Sequence, residues 1–259
     1  MSDVNVTDRD KVRWIELDRP ESKNGLTVEV NKQIIAALSE IDDRDDLRVA
    51  VLGGSSGNFC SGLDLKEAMK RGPMNREQAE ADMREYFHGM IRAVRNVGAP
   101  VIAAVDGAAV GYGCDLALAC DIRIVSNRAR FGEVFVKRGL MPDGGGTFIL
   151  PRVVGVGHAL EMMFTGDLID AQRAHELGIA NRLVPTEQLS DAAWELASRL
   201  AKGPPRAYRE IKRAVYASLG GDFDAALERE VEGQMKLVTG PDFMEALGAF
   251  LQKRAPVFK

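Results

Sequence analysis

The stretch VIAAVDGAAVGYGCDLALACDIRI, residues 101–124, decides the fold of this chain. It opens with the apolar run Val101–Val105, passes through a glycine turn into a short helix from Gly113, and leads into a second predicted strand at 121–125. An apolar run without alternation is typical of a strand that is buried on both faces, as in a parallel sheet covered by helices. The stretch therefore predicts an α/β fold.

Strands and helices alternate on the N-terminal side of this stretch, and helices alone make up the last third of the chain. The predicted elements are a strand at 11–17, a helix at 28–41, a strand at 48–52, a helix at 76–97, and C-terminal helices at 191–200, 206–219, 223–238 and 243–253. Glycine and proline breaks separate the C-terminal helices. We therefore expect an α/β core over residues 1–185 and a helical region, used for oligomerisation, over 186–259.

Composition and charge exclude several classes of protein. The 259 residues include 34 Lys and Arg against 38 Asp and Glu, a net charge of -4, so the basic surface that nucleic-acid binding requires is missing. Three cysteines without paired spacing predict a reducing, cytoplasmic setting. Neither a signal peptide nor a membrane span is expected, and three widely separated histidines predict no metal site.

Two loops that leave predicted strands carry the small residues expected at a ligand site. The first, at 58–65, reads NFCSGLDL, and the second runs from Val105 to Asp115. Both should lie at the carboxyl edge of the sheet, and N–H groups that face each other there would form an oxyanion hole. The alternatives are a solvent turn with Asp64 as helix cap and a tight Rossmann-type turn, although GAAVG at 107–111 lacks the G-x-G-x-x-G pattern.

Together these blocks resemble the crotonase (enoyl-CoA hydratase/isomerase) superfamily. FCSGLDLKE at 59–67, the stretch 101–124 and FGEVFVKRGLMPDGGGTFILPRVVG at 131–155 occur in family order, and the likeness extends over nearly the whole chain. The resemblance implies a ClpP/crotonase-like fold of repeated ββα units with a C-terminal helical region. It also implies a homotrimer or homohexamer, an acyl-CoA thioester as substrate, and no separate cofactor.

The resemblance implies that the backbone N–H groups of Leu63 and Tyr112 polarise the thioester carbonyl. Tyr112 stands where the family usually has glycine, which narrows the allowed φ and adds bulk to the pocket.

The acids depart from the family pattern. Hydratases of the family position and activate water with two glutamates, of which the first falls on Asp115 and the second on Phe135. A phenyl ring cannot accept a proton or orient water, so the two-carboxylate hydration mechanism lacks a partner. Glu133 comes two residues earlier, roughly 6–7 Å away along an extended chain, and is a weak candidate to replace it.

Asp143 is the acid that the resemblance favours. From Phe135 onward the sequence follows F-x-K-x-G-L-x-P-D-x-G-G-T, the pattern of ring-1,2-epoxyphenylacetyl-CoA isomerases. Δ3,Δ2-enoyl-CoA isomerases and aryl-CoA dehalogenases also carry their acid at this place. We predict Asp143 as the proton shuttle and Asp115 as the second candidate. From the residues alone, Asp143 could instead cap a helix, and Asp115 could serve the helix dipole.

The remaining predictions concern the surroundings of these acids. Burial among Phe135, Met141 and Phe148 should raise the pKa of Asp143. His88 is expected to be exposed on its helix. The charged segment 66–84 is expected to be a mobile surface segment that helps to set acyl-chain specificity. The predicted substrate-binding residues are Ser22, Lys23, Gly25, Ser61, Gly62, Asp64, Leu65, Gly111, Phe135 and Pro142.

The expected function is therefore that of an acyl-CoA isomerase that stabilises an enolate. Three alternatives stay open. They are an enoyl-CoA hydratase that uses Asp115 with Glu133 or water, a dehalogenase or hydrolase with an aspartate nucleophile, and a non-catalytic protein that binds CoA esters.

Overall fold

The computed structural model describes residues 3–70, 72 and 75–258 and confirms the α/β fold predicted from the stretch 101–124. The strands are β1 (Val4–Arg9), β2 (Val12–Leu17), β3 (Val49–Gly54), β4 (Val101–Val105), β5 (Ala108–Val110), β6 (Ile122–Ser126), β7 (Arg130–Gly132), β8 (Ile169–Asp170) and β9 (Arg182–Val184). The α-helices are α1 (Val28–Asp42), α2 (Leu65–Lys70), α3 (Arg76–Asp82), α4 (His88–Asn96), α5 (Tyr112–Ala119), α6 (Gly146–Val154), α7 (Val156–Thr165), α8 (Ala171–Glu176), α9 (Leu189–Ala201), α10 (Pro205–Ser218), α11 (Phe223–Val238) and α12 (Pro241–Leu251). Short 3-10 helices lie at Pro20–Ser22, Val134–Arg138 and Thr186–Gln188, and a π-helical turn at Met83–Phe87.

The larger sheet has the strand order β1-β2-β3-β4-β6-β9. The hairpin β1/β2 is antiparallel, and the other neighbouring strands are parallel. Along β3, Ala50 and Leu52 pack into the cluster that contains α1 and α4, whereas Val49 and Val51 face α9. Helices therefore cover both faces of the sheet, which explains why its central strands are apolar throughout.

Helix α9 forms part of the core, although it follows the predicted boundary at residue 185. Its residues Leu189 and Leu196 are buried in one cluster with Val51 and Ile102 of the sheet. The helical character of 186–259 agrees with the prediction, but α9 closes the second face of the sheet. The segment that lies beyond the sheet begins with α10.

A second, smaller sheet brings the two predicted loops together. Its strand order is β5-β7-β8, and an isolated parallel bridge joins Cys60 of the first loop to Ala109 of β5. A further bridge joins Leu63 to Leu26, just before α1. The loop at 58–65, hereafter the donor loop, therefore runs beside β5 and is held on both sides by backbone pairing.

Two features of the fold were not predicted. Strand β1 pairs with β2 through a turn at Asp10 and Lys11, whose φ values are +49° and +67°, and neither residue is the glycine that usually signals such a turn. The predicted helix 76–97 is interrupted by the π-helical turn, which presents Met83 and Phe87 to a cavity.

Membrane spans, metal sites and the segment 66–84 were the subject of three further predictions. None of the described helices is long and apolar enough to cross a membrane. The described residues include no group of three or more His, Cys, Asp and Glu side chains placed to hold a metal ion. Within the segment 66–84, residues 71, 73 and 74 lie outside the described residues, so its predicted mobility stays a prediction.

Candidate active site

A cavity of about 220 Å³ opens beside the smaller sheet. Its walls come from the start of α1, the donor loop, α2, the helical segment around the π turn, the β5–α5 junction and the segment 134–143. The lining residues are Leu26, Thr27, Val28, Ser61, Gly62, Leu63, Asp64, Leu65, Glu67, Ala68, Ala79, Asp82, Met83, Phe87, Gly111, Tyr112, Val134, Phe135, Arg138, Leu140 and Asp143. Both predicted loops and Asp143 therefore meet at one place.

The donor loop and the β5–α5 junction approach each other so closely that side chains are excluded at the contact. A Cβ on Gly62, whose φ is +89°, would lie 2.8 Å from Val110 O and 3.2 Å from Tyr112 N. A Cβ on Gly113 would overlap the carbonyl oxygen of Cys60. Glycine is needed at both positions so that the two backbones can run side by side.

The backbone N–H groups of Leu63 and Tyr112 lie at this contact, and both residues line the cavity. Within the described part of the chain, neither N–H donates to a backbone carbonyl. The strained conformation falls on Gly111, with φ +57° and ψ -126°, and Tyr112 begins α5 without a positive φ. The tyrosine therefore costs no backbone strain, and the arrangement can accept a carbonyl oxygen between two N–H donors.

The Tyr112 side chain fills space that glycine would leave open. It is 3% exposed and packs edge-on against Phe87, with ring centroids 5.4 Å apart. Its hydroxyl has no hydrogen-bond partner among the described residues. Burial raises the pKa of this phenol, and the nearby carboxyl groups of Asp115 and Asp143 raise it further. The predicted bulk at this position is therefore present in the cavity wall.

Asp143 is the predicted catalytic acid, and its carboxyl group faces a largely desolvated environment. Burial raises the pKa of Asp143, while the charge of His88 acts in the opposite direction. The direction of this pKa shift agrees with the prediction, although two of the three side chains that were expected to bury the carboxyl group are themselves exposed. Met141 is 67% exposed and Phe148 is 41% exposed.

His88 was expected to be exposed, and this expectation is wrong. Its side chain is half-buried, and its ring Nε2 lies 2.9 Å from the main-chain oxygen of Asp143. The π-helical turn immediately before α4 shifts the register of the helix, which helical periodicity in the sequence does not reveal. His88 therefore holds the turn that carries the acid.

Asp115 and Glu133 lie behind the cavity wall and do not line it. Asp115 is 0% exposed, and its Oδ2 accepts a hydrogen bond from Gly144 N–H at 2.8 Å. Glu133 is also 0% exposed. The chain at Glu133 is not extended, with φ -91° and ψ 68°, because a 3-10 helix starts at the next residue. Phe135 consequently faces the cavity while Glu133 packs towards Asp115.

The predicted substrate-binding residues fall into two groups. Ser61, Gly62, Asp64, Leu65, Gly111 and Phe135 line the cavity, whereas Ser22, Lys23, Gly25 and Pro142 do not.

The turn at 19–25 supports the donor loop from outside. Ser61 Oγ donates to Ser22 O at 2.7 Å, and Ser22 Oγ accepts from Gly25 N–H at 3.1 Å. Arg19 forms an ion pair of 3.0 Å with Asp64, and both side chains are nearly buried. Lys23 is exposed.

The sequence reasoning missed other cavity residues, notably Phe87 and Arg138. Met83 and Phe87 are four residues apart, a spacing that places two side chains on the same face of a helix. This spacing is the sequence signal that could have identified them as neighbours in the cavity wall.

Comparison with known proteins gives a consistent result. A sequence model of the enoyl-CoA hydratase/isomerase family matches residues 7–259. The chain is 38% identical over 244 residues to a probable enoyl-CoA hydratase of Rhodobacter capsulatus, covering 94% of this chain and 93% of that protein. It is 34% identical over 247 residues to the 1,2-epoxyphenylacetyl-CoA isomerase of Escherichia coli, covering 95% and 94%. The crystal structure of an enoyl-CoA hydratase from Bacillus anthracis superposes with a TM-score of 0.94 at 34% identity, covering 100% of this chain and 99% of that one.

The role of the Tyr112 N–H can be tested with two variants that lose the same ring and differ only in the N–H. Proline is tolerated at the first position of a helix and has no N–H, so Tyr112→Pro removes the donor. Tyr112→Ala is the matched control, because it loses the same ring but keeps the N–H. We expect Tyr112→Pro to turn over enoyl-CoA thioesters about 10²- to 10³-fold more slowly than Tyr112→Ala. Equal rates for the two variants would show that this N–H does not serve the reaction.

Proposed function

Since the chain belongs to the enoyl-CoA hydratase/isomerase family, we propose that it is an acyl-CoA isomerase in which Asp143 shuttles a proton. The observation that carries the proposal is where the three candidate catalytic acids lie. Asp143 lines the cavity beside the Leu63 and Tyr112 N–H groups, whereas Asp115 and Glu133 lie behind its wall. Isomerisation by proton transfer needs one carboxyl group at the substrate. Hydration needs a second group that positions water.

The proposed reaction moves a double bond along the acyl chain. The thioester oxygen accepts hydrogen bonds from the N–H groups of Leu63 and Tyr112. The Asp143 carboxylate takes the proton from the α-carbon of a 3-enoyl-CoA, and the C–H electron pair forms an enolate whose negative charge lies on that oxygen. The carboxylic acid of Asp143 then returns the proton to the γ-carbon, which leaves a 2-enoyl-CoA. The proposed reaction needs no cofactor beyond the CoA of the substrate.

Enoyl-CoA hydration is the second candidate, because several relatives carry the name hydratase, including the one from Rhodobacter capsulatus. Hydration would require Asp115, with Glu133 or another group, to orient a water molecule at the thioester. Both carboxyl groups are 0% exposed, and Phe135 lies in the cavity at the place of the second hydratase acid. These observations favour the isomerase.

Assays with a 3-enoyl-CoA and with a 2-enoyl-CoA distinguish an isomerase from a hydratase. Incubated with a 3-enoyl-CoA, the enzyme is expected to form the 2-enoyl isomer, and Asp143→Asn should lower kcat by about 10²- to 10⁴-fold because the proton carrier is lost. The affinity for the CoA ester, measured by calorimetry, should survive, since the two N–H donors remain. Fast hydration of crotonyl-CoA without isomerisation, or an active Asp143→Asn enzyme, would contradict the proposal.

The pH dependence should follow the raised pKa of Asp143. Only the ionised carboxylate can accept the α-proton, so kcat/KM should fall as the pH drops through the pKa of Asp143. Because burial raises that pKa, this acidic limb should lie above the range of an ordinary aspartate. Replacing His88 by Gln removes a charge that lowers the pKa, so the limb should move to higher pH in His88→Gln. A limb that moves to lower pH in this variant would contradict the assignment of Asp143 as base.

We also propose that the chain assembles as a homotrimer or homohexamer, and apolar side chains on two surfaces support this. Phe223, Phe250 and Leu251 on the C-terminal helices are 75%, 79% and 73% exposed. On α7, Val156 and Phe164 are 64% and 72% exposed. Large apolar side chains left this exposed are common at interfaces between chains. The cytoplasmic location stays a prediction.

Sedimentation analysis tests the assembly. The mass should be a multiple of three chains of 28.2 kDa. Phe250→Glu places a charge on the apolar surface of the C-terminal helices and should shift the mass towards smaller species, whereas Phe250→Leu should leave it unchanged. A monomer at micromolar concentration of the parent protein would contradict this proposal.

A further inference from the structure

Two carboxyl groups lie side by side in a dry space behind the cavity. Asp115 projects from the first turn of α5, Glu133 follows β7, and both are 0% exposed. Asp115 Oδ2 accepts the hydrogen bond from Gly144 N–H. The other three carboxyl oxygens of the pair accept no well-formed hydrogen bond from the described residues, and the groups nearest to them are the facing carboxyl group and the Cys114 thiol. Buried oxygens are costly when they lack a donor, so the arrangement requires an explanation.

The glycines after Asp143 make the space that the pair occupies. A Cβ on Gly146 would overlap Asp115 Oδ1 and lie 3.2 Å from Glu133 Oε1, so these two oxygens flank the same backbone carbon. A Cβ on Gly144 would lie 2.7 Å from Asp115 Oδ2. Gly145, with a φ of +92°, is the one whose conformation the turn itself requires. Two of the three consecutive glycines therefore accommodate the carboxyl pair.

Among the described residues, no positive charge acts directly on the pair. The titratable groups around the pair on α5 are the Cys114 thiol and the Tyr112 phenol, and the turn after the 3-10 helix contributes the Asp143 carboxyl. On α4, the His88 ring bonds to the main-chain oxygen of Asp143, and Arg92 acts on Tyr112.

Two ionised carboxylates in this place would repel each other without solvation. Burial raises the pKa of Asp115 well above its ordinary value, and the charge of Glu133 raises it further. Burial likewise raises the pKa of Glu133, to about 7. A proton held between the two carboxyl groups would remove this repulsion.

We propose that Asp115 and Glu133 share a single proton and that this acid–carboxylate pair positions Asp143 through the hydrogen bond to Gly144 N–H. The shared proton gives the facing oxygens a donor. Asp115 Oδ2 holds the N–H of the residue directly after Asp143, which fixes the catalytic carboxyl against the cavity. This inference rests on the proposed function, since the pair acts through Asp143. Asp115 and Glu133 are accordingly positioning residues.

Loss of the shared proton has a defined consequence for the reaction. It adds a second negative charge behind Asp143, in a medium where charges interact strongly. That charge opposes formation of the enolate and separates the two carboxyl groups that support the turn. Turnover is therefore expected to decline on the alkaline side of neutral pH.

Amide substitutions test the shared proton, because an amide has the shape of a carboxyl group with a permanent N–H donor. Glu133→Gln and Asp115→Asn should each abolish the alkaline decline of kcat, because the N–H donor of an amide is not lost by titration. Glu133→Leu removes the partner and should lower kcat by about 10- to 100-fold with little change in KM. Asp167→Asn, on the exposed surface, is the matched control and should keep the parent pH profile.

An inactive Asp115→Asn enzyme beside a fully active Glu133→Gln enzyme would make Asp115 a catalytic acid and overturn the proposal. Retention of the alkaline decline in both amide variants would overturn it as well.

Infrared spectroscopy gives a readout that does not depend on turnover. In the Asp143→Asn background, the band of a buried protonated carboxylic acid should be present at neutral pH and should disappear when Glu133→Gln or Asp115→Asn is added. Absence of this band overturns the shared proton, whether or not the chain is an isomerase. If the band behaves as expected but Asp143→Asn remains an active isomerase, the proposed function and the positioning role both fail while the shared proton is supported.

Discussion

The hydrogen bonds between the donor loop and β5 are the contact on which the site depends. Cys60 N–H donates to Ala108 O at 2.7 Å, and Val110 N–H donates to Cys60 O at 3.0 Å. These bonds add the loop to the smaller sheet as a short strand, so a segment without regular structure acquires a fixed register. Because the register is fixed, the N–H groups of Leu63 and Tyr112 reach the same cavity. The small side chains at this contact follow from the distance between the two backbones.

The ladder between β5 and β7 decides which acids reach the cavity. Gly111 N–H donates to Gly132 O at 2.8 Å, which brings the end of β7 beside the start of α5. The chain then turns into a 3-10 helix at Val134. An extended continuation would place Glu133 and Phe135 on one face of a strand. The turn separates them, so that the phenyl ring enters the cavity and the carboxyl group lies behind it.

Much of the fold follows from the sequence because its signals are local. The buried strand β4 and the helix α11 have the predicted bounds, since an unbroken apolar run and glycine breaks define them without reference to the rest of the chain. The placement of Asp115 and Glu133 is different, because it depends on a 3-10 turn and on a glycine run that is distant in sequence from Asp115. The contact between His88 and Asp143 likewise depends on a π-helical turn. Neither turn has a residue pattern that distinguishes it from an ordinary helix.

Two substitutions relative to the family pattern act in the same direction on the chemistry. Tyr112 replaces a glycine and fills part of the cavity wall, and Phe135 replaces an acid that would hold water. Both rings reduce the space and the hydrogen bonds available to a water molecule near the thioester. Under the proposed function, an enolate formed in such a place would be protonated by Asp143 more readily than a water molecule would be activated to attack the β-carbon. In the proposed isomerase, the apolar walls and Asp143 are therefore parts of one arrangement, in which exclusion of water favours movement of the double bond over its hydration.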